Sequence, residues 1–234
     1  ISMLSENVFL DVIKNSNSNS NLFLDGKTAK SAIKIIKDYS HLEPLLLEKQ
    51  RLATFPIKHQ DIWQLYKKQL RAIWTVEEVK MDQDRNDFMR IKDKNIQHFI
   101  KNVLAFFSTA DGSVILNIST NFVNDIKSFD IQTCYNFQVA MEGIHAEMYS
   151  VLIDEIVQDK EEKDRLQNAV NTMPCIKEKN AWGIKWAYSG APFIQRLVAN
   201  AIVEGIFFSG SFCAIFWRKN MNIMPGLCQS NELI

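Results

Sequence analysis

The stretch from Phe129 to Val157 runs for nearly thirty residues with no proline and one glycine, Gly143. It has no period-two alternation of apolar and polar residues, so it predicts a single long α-helix. The whole chain has only eight glycines and five prolines in 234 residues, well below the average share. We therefore predict an all-α protein.

Helical periodicity and capping residues predict the other helices. They cover residues 29–39, 59–80, 94–107, 113–126, 160–171, 174–187 and 192–219. Asp111 and Gly112 are predicted to interrupt the helical structure between the helices over 94–107 and 113–126. A short last segment follows the turn at Pro225 and Gly226. Long helices joined by short turns are typical of a helical bundle.

The segment from Leu197 to Trp217 contains one charged residue, Glu204, in 21 residues. Its length would suit a membrane span, but a carboxylate in mid-membrane costs about 2.5 to 3.5 kcal/mol. We therefore predict that this helix is buried on all sides and forms the centre of the bundle.

Composition sets the domain organisation. Residues 15–21 read NSNSNSN, a polar tract that cannot bury apolar area, so we predict a disordered or low-complexity arm over 1–28. Residues 29–234 are predicted to form a single helical domain.

Charge and cysteine usage bear on partners and compartment. Twenty-seven basic residues balance twenty-seven acidic ones, which gives no basic field for nucleic acid. The four cysteines are widely spaced, and no basic, apolar leader opens the chain. We expect a cytoplasmic protein with reduced thiols and with neither a nucleic-acid nor a membrane partner.

Glu142 and His145 form an E-x-x-H pair within the longest predicted helix. Residues three apart on a helix are neighbours, so both side chains can bind one metal ion. Tyr149 lies four residues beyond His145 on the same face. The alternative for this pair is a surface carboxylate beside a hydrogen-bonded histidine. For Glu204, the alternatives are a cation and a buried hydrogen bond.

Seven segments carry a family resemblance. They are FPIKHQDIWQLYKK (55–68), WTVEEV (74–79), IKNVLAFFSTADG (100–112), FQVAMEGIHAEMYSVLID (137–154), NTMPCIKEKNAW (171–182), LVANAIVEGIFFSGSFCAIFW (197–217) and MPGLCQSNELI (224–234). From about Glu43 onward the sequence resembles the small subunit of class I ribonucleotide reductase of eukaryotic type. The resemblance implies a ferritin-like helical bundle with a di-iron centre and a tyrosyl radical.

Site residues follow from the resemblance position by position. Glu142, His145 and Glu204 match metal ligands, and Tyr149 matches the tyrosine that carries the radical. Three apolar residues match the pocket that shields the radical: Phe208, Phe212 and Ile234. Trp63 matches a tryptophan on the radical-transfer route to the large subunit. The implied partners are that large subunit and a second small subunit, giving a homodimer or a heterodimer with a paralogue.

Two departures from the family pattern are expected to affect iron binding. The resemblance leads us to expect an aspartate ligand where this sequence has Lys80, and a second E-x-x-H that would follow Ile234. We hypothesise that the Lys80 ammonium enters the carboxylate site in place of a metal charge. The alternative is that Lys80 extends to solvent and pairs with Glu77.

The sequence is therefore compatible with three functions. The first is a radical-generating small subunit of ribonucleoside-diphosphate reductase, which supports the reduction of ribonucleotides to deoxyribonucleotides. The second is a non-catalytic paralogue that acts as a scaffold or regulator, which Lys80 would favour. A di-iron oxygenase or an iron store is a weaker third, because the EMYS and FFSGSF segments follow the reductase pattern.

Overall fold

The structure is a computed structural model that describes residues 48–219, 221 and 223–234. The predicted arm over 1–28 and the predicted helix over 29–39 lie outside these residues. Every regular element of the described part is helical, which confirms the all-α class. The helices are α1 (Gln60–Arg71), α2 (Asp84–Arg90), α3 (Lys94–Asn117), α4 (Phe129–Ile156), α5 (Lys160–Gln167), α6 (Ala169–Thr172), α7 (Pro174–Ala187), α8 (Phe193–Ile202), α9 (Ser209–Lys219) and α10 (Pro225–Leu233).

Helix α1 ends at Arg71, so the prediction that it continues to residue 80 was wrong. Residues 76–78 form a separate turn of 3₁₀-helix. The Glu78 side chain accepts the backbone N–H of Thr75 (3.0 Å), in a capping box that starts this turn. Trp74 is therefore not on α1, and it is buried.

Helix α3 continues through Asp111 and Gly112, where a break was predicted. It passes into a π-helical segment, Ile118–Phe122, and a last turn, Val123–Asp125. A glycine inside a helix costs about 1 kcal/mol relative to alanine, which the packing of a long apolar face can offset. Phe106 and Phe107, at the end of the predicted helix 94–107, are buried in the core.

Helices α4, α5, α6 and α7 all pack against α3. Helices α8 and α9 are joined by a second π-helical segment, Val203–Phe207. This second apolar helix is not buried all round, which corrects the prediction for residues 197–217: Phe216 and Trp217 are 38 % and 49 % exposed. Apolar composition does not tell on which faces a helix is covered.

Two helices, Lys94–Asp125 and Phe193–Lys219, are long and apolar enough to cross a membrane by length and composition alone. Half of the most apolar part of the first is buried inside the bundle. That is also what the core helix of a bundle looks like.

Helix α10 begins where two acidic side chains receive its first N–H groups. Asp84 is fully buried and accepts from the backbone N–H of Gly226 (2.8 Å) and of Leu227 (2.6 Å). Asp87 accepts from the N–H of Met224 (3.1 Å). A Cβ at Gly226 would lie 2.7 Å from the carbonyl oxygen of Lys80, so only glycine fits this close approach. These contacts fix α10 against α2 and the chain just before it.

Candidate metal centre

Asp111, Glu142 and His145 converge between α3 and α4. One ligand atom from each lies within 4.8 Å of the other two. Glu142 Oε2 is 3.2 Å from His145 Nδ1, as the i, i+3 spacing on α4 predicts. Asp111 comes from the facing helix and is buried. We call these three residues, together with Glu204, the carboxylate cluster.

Glu204 approaches the cluster from the π-helical segment between α8 and α9. The side-chain amide of Asn200 donates to Glu204 Oε1, and Gln138 Nε2 donates to Oε2 over 3.4 Å. Burial and the charge of Glu142 raise the pKa of Glu204 to about 7, although the Asn200 hydrogen bond acts in the opposite direction. Glu204 is therefore held by hydrogen bonds and also repelled by another carboxylate.

Within the cluster, the surroundings of Asp111 strongly disfavour the charged form of its carboxyl group. Burial, and then the charges of Glu142 and Glu204, raise the pKa of Asp111 well above its usual range. Its Oδ2 atom is buried and has no hydrogen-bond partner within the described residues. Carboxylates gathered in a low-dielectric interior repel one another unless protons or a cation compensate. The donor set of carboxylates and one imidazole fits a divalent iron or manganese ion.

The hypothesis that Lys80 supplies the missing charge is wrong. The Lys80 side chain is exposed, and among the described residues its ammonium forms no ion pair, with Glu77 or with the cluster. Its carbonyl oxygen lies under Gly226, at the start of α10. Asp111, not residue 80, brings the aspartate to the cluster. Lys80 is therefore not a substituted ligand.

Tyr149 lies two turns from Glu142 on α4 and is completely buried. Its hydroxyl donates a hydrogen bond to Asn231 Oδ1 on α10 (3.2 Å). Burial, and then the charges of Asp111 and Glu142, raise the pKa of the Tyr149 phenol well above its usual range. The phenol is therefore held in its protonated form close to the carboxylate cluster.

An aromatic cluster lies beside Tyr149. The Phe107 ring stacks on Tyr149 with centroids 4.6 Å apart. Phe208 and Phe212 contact the Phe107 ring, at 5.3 and 5.0 Å. Ile234 packs against the same core. Two of the three residues predicted for the pocket, Phe208 and Phe212, thus reach Tyr149 through the Phe107 ring, and Ile234 packs against the same hydrophobic core.

The two tryptophans of the N-terminal half differ in their relation to the cluster. Trp63 on α1 is half-buried, and its ring contacts Tyr66 (5.0 Å) and the ammonium of Lys67. Trp74 is buried and stacks on the imidazole of His145, with centroids 6.0 Å apart and an angle of 18° between the planes. Within the described residues, the tryptophan in contact with the cluster is Trp74.

The sequence reasoning missed Asp111, Trp74 and Phe107. A signal for Asp111 was present, because it is an acid that follows the apolar run 103–107, the same pattern that singled out Glu204. Trp74 and Phe107 had no such signal, since aromatic residues are common in cores.

Residues 51–234 match the family model described as "Ribonucleotide reductase, small chain". The ribonucleoside-diphosphate reductase small chain of Trypanosoma brucei brucei is 52 % identical over 193 residues, which are 82 % of this sequence and 57 % of that protein. The ribonucleoside-diphosphate reductase small subunit of Dictyostelium discoideum is 47 % identical over 201 residues, which are 86 % of this sequence and 60 % of that protein.

A solved structure of the ribonucleotide reductase Rnr4 homodimer from Saccharomyces cerevisiae superposes with a TM-score of 0.73 at 32 % identity, covering 88 % of this sequence and 65 % of that one. The R2 subunit from Clostridium botulinum gives 0.69 at 20 % identity, over 76 % of this sequence and 57 % of that one, a likeness of fold. The chain thus spans somewhat more than half the length of the two curated relatives above. The match over residues 51–234 and the identity with these relatives establish that the chain belongs to the ribonucleotide reductase small-chain family.

Proposed function

We propose that this protein is the radical-generating small subunit of a ribonucleoside-diphosphate reductase, which supports the reduction of ribonucleotides to deoxyribonucleotides by a large subunit. One observation carries the proposal: ligand atoms of Asp111, Glu142 and His145 meet within 4.8 Å of one another, with Glu204 close enough to raise the pKa of Asp111, and the buried Tyr149 lies nearby. The family relation supports the same function.

The four cluster residues would hold the metal, with three carboxylates and the imidazole of His145 as ligands. When bound, a di-iron centre of this kind supplies, with O₂, the oxidising equivalent that removes one electron from a tyrosine. The chain's own contribution is the arrangement of the ligands. Asp111 comes from a helix other than α4, so packing brings its oxygen to the E-x-x-H pair before any metal binds. Glu204, from a third part of the chain, lies close enough for the charge of Glu142 to raise its pKa.

Tyr149 is proposed as the residue that carries the radical. An oxidised phenol persists only where water and reductants are excluded, and no part of the Tyr149 side chain is exposed. Phe107, Phe208 and Phe212 provide the apolar surroundings, and Ile234 packs against the same core. The hydrogen bond to Asn231 holds the hydroxyl in one orientation.

Radical transfer is proposed to pass through Trp74, because its indole contacts His145 directly. The resemblance assigns this role to Trp63, and that assignment remains a prediction. The alternative of a non-catalytic paralogue rested on Lys80. It is not favoured, because Asp111 supplies the carboxylate.

The partners proposed are the large subunit and a second copy of this chain, in the cytoplasm, with no nucleic-acid or membrane partner. Small chains of this family include one solved as a homodimer, that of Saccharomyces cerevisiae. Exposed apolar residues on α3, Phe99 and Leu116, are consistent with an interface. Sedimentation of the full-length protein should give a dimer at micromolar concentration, and a monomer would contradict this part of the proposal.

The test is reconstitution of the full-length protein with Fe²⁺ and O₂, followed by iron analysis and electron paramagnetic resonance. We expect two irons per chain, together with a tyrosyl signal. Tyr149→Phe should keep the iron and lose the signal, whereas Tyr135→Phe, at a second tyrosine of α4 that is only half-buried, should keep both. Absence of iron, or a tyrosyl signal that survives in Tyr149→Phe, would contradict the proposal.

A further inference from the structure

Three asparagine side chains form a continuous hydrogen-bonded relay that ends at Glu204. Asn121 Nδ2 donates to Asn117 Oδ1 (2.8 Å), and Asn117 Nδ2 donates to Asn200 Oδ1 (2.8 Å). The side-chain amide of Asn200 in turn donates to Glu204 Oε1. The relay connects α3 and its π-helical extension with α8 and the π-helical segment that carries Glu204.

The direction of this relay is fixed at its outer end. Asn121 Nδ2 also donates to the carbonyl oxygen of Ala187 (3.2 Å), and a carbonyl can only accept. This contact orients the Asn121 amide so that its nitrogen faces Asn117. Asn117 therefore accepts through its oxygen and donates through its nitrogen to Asn200, and Asn200 does the same toward Glu204. The two orientations of an asparagine amide, which exchange its oxygen and nitrogen, have nearly the same shape. The hydrogen-bond network therefore decides which of the two is adopted. Asn200 therefore meets Glu204 with a donor rather than an acceptor.

The Asn200 donor makes the hydrogen bonding of the two Glu204 oxygens different. Oε1 receives a charge-assisted hydrogen bond from a residue four positions earlier, which is a neighbour on the helix. Oε2 has only the longer contact with Gln138 at 3.4 Å. Without the relay, repulsion from Glu142 would favour a rotation of the Glu204 carboxylate away from the cluster.

We propose that Asn200 is a positioning residue for the metal centre, and that Asn117 and Asn121 orient its amide so that Glu204 keeps one oxygen directed to the divalent cation. This inference rests on the proposed function for the role of the cluster. The relay itself is a feature of the metal-free protein, so the two can fail separately.

The experiment measures Mn²⁺ affinity of the full-length protein by calorimetry, for the parent and for three variants. Asn200→Leu removes the donor at similar volume, and Asn200→Gln keeps an amide. Asn124→Leu is the matched control, because Asn124 is exposed and, among the described residues, its side-chain amide donates to the carbonyls of Ser119 and Thr120 in its own helical stretch and not to the relay. Residues that support metal ligands typically contribute 10- to 100-fold in affinity. We expect a loss of about that size for Asn200→Leu, partial recovery in Asn200→Gln and no change in Asn124→Leu.

A crystal structure of the metal-free Asn200→Leu protein gives the second readout, and the Glu204 carboxylate should be rotated away from Asp111. An unchanged affinity together with an unmoved Glu204 would overturn the proposal. If the parent binds no Mn²⁺, the proposed function fails, and the position of Glu204 in the two metal-free structures decides the relay alone. If Asn200→Leu does not fold, Asn121→Leu at the outer end of the relay takes its place. It should show a smaller loss in the same direction, and parent-like affinity would count against the relay.

Discussion

At Glu204, burial and a neighbouring carboxylate act on one side chain in the same direction. They raise the pKa of Glu204 to about 7 from an ordinary value of 4.5, and burial raises that of Asp111 as well. In the folded metal-free protein these groups prefer to keep their protons. The unfolded chain releases them at a lower pH, so the fold loses stability as the solution becomes less acidic.

We therefore expect the metal-free protein to lose stability between pH 4.5 and 7 through Glu204. The proton-linked part is about 3 kcal/mol at most, and it is fully present only below the unfolded pKa. Glu204→Gln should remove this part of the change in unfolding free energy with pH. Denaturant unfolding of both proteins at pH 5 and pH 7.5 checks the expectation. An equal loss of unfolding free energy between these two pH values in parent and variant would contradict it.

The sequence was sufficient for the residues of this site that share one helix. Glu142, His145 and Tyr149 all lie on α4, and their spacing of three and then four fixes their common face. Asp111 and Trp74 reach the site from other parts of the chain. Their contacts depend on which elements face each other, and local periodicity contains no information on that pairing.

The contact between Trp74 and His145 makes a specific kinetic prediction. Under the proposed function, Trp74→Phe should keep the radical proposed at Tyr149 but lower turnover in the assembly with a large subunit by orders of magnitude, because the proposed route between the subunits is interrupted. Trp63→Phe, measured in the same assay, tests the assignment that the resemblance gives. If Trp63→Phe is inactive and Trp74→Phe retains turnover, the geometric assignment is wrong.

Among the elements, α10 shows how an interaction far along the chain determines the position of a short helix. Pro225 at its first turn and Gly226 beneath it were readable as a turn. That the segment continues as a helix to Leu233 depends on Asp84, which accepts the N–H groups of Gly226 and Leu227. In α3 as well, local signals were insufficient, because the packing of other helices on its long apolar face offsets the cost of Gly112.

Removal of the Asp84 carboxylate should release α10. Asp84→Ala leaves two buried N–H groups without their acceptor, and each such group costs about 1 to 3 kcal/mol. Because α10 carries Asn231, the hydrogen bond to Tyr149 should be lost as well. Thermal unfolding measures the first effect, and the hyperfine pattern of the tyrosyl radical measures the second. Asp82→Ala, at an exposed position nearby, is the control and should leave both unchanged.

At the scale of the whole molecule, the carboxylate cluster links helices from distant parts of the chain. Asp111 comes from α3, Glu142 and His145 from α4, and Glu204 from the segment after α8. In the metal-free fold their mutual repulsion opposes the packing of these helices. A cation that binds all of them reverses the sign of this interaction, so metal binding and global stability are coupled.

Melting temperature should therefore rise with Mn²⁺ concentration in the full-length protein. Binding to the folded state alone adds about 2.7 kcal/mol when the free ion is at 100 times its dissociation constant. Asp111→Asn should melt at a higher temperature than the parent without metal, because an amide avoids the cost of burying an ionisable carboxyl beside Glu142 and Glu204, and should gain less from Mn²⁺ because a ligand oxygen is replaced. Lys80→Ala should follow the parent at every concentration, since the Lys80 side chain is exposed. A parent-like response of Asp111→Asn, or a response altered in Lys80→Ala, would contradict the ligand assignment on which the site is built.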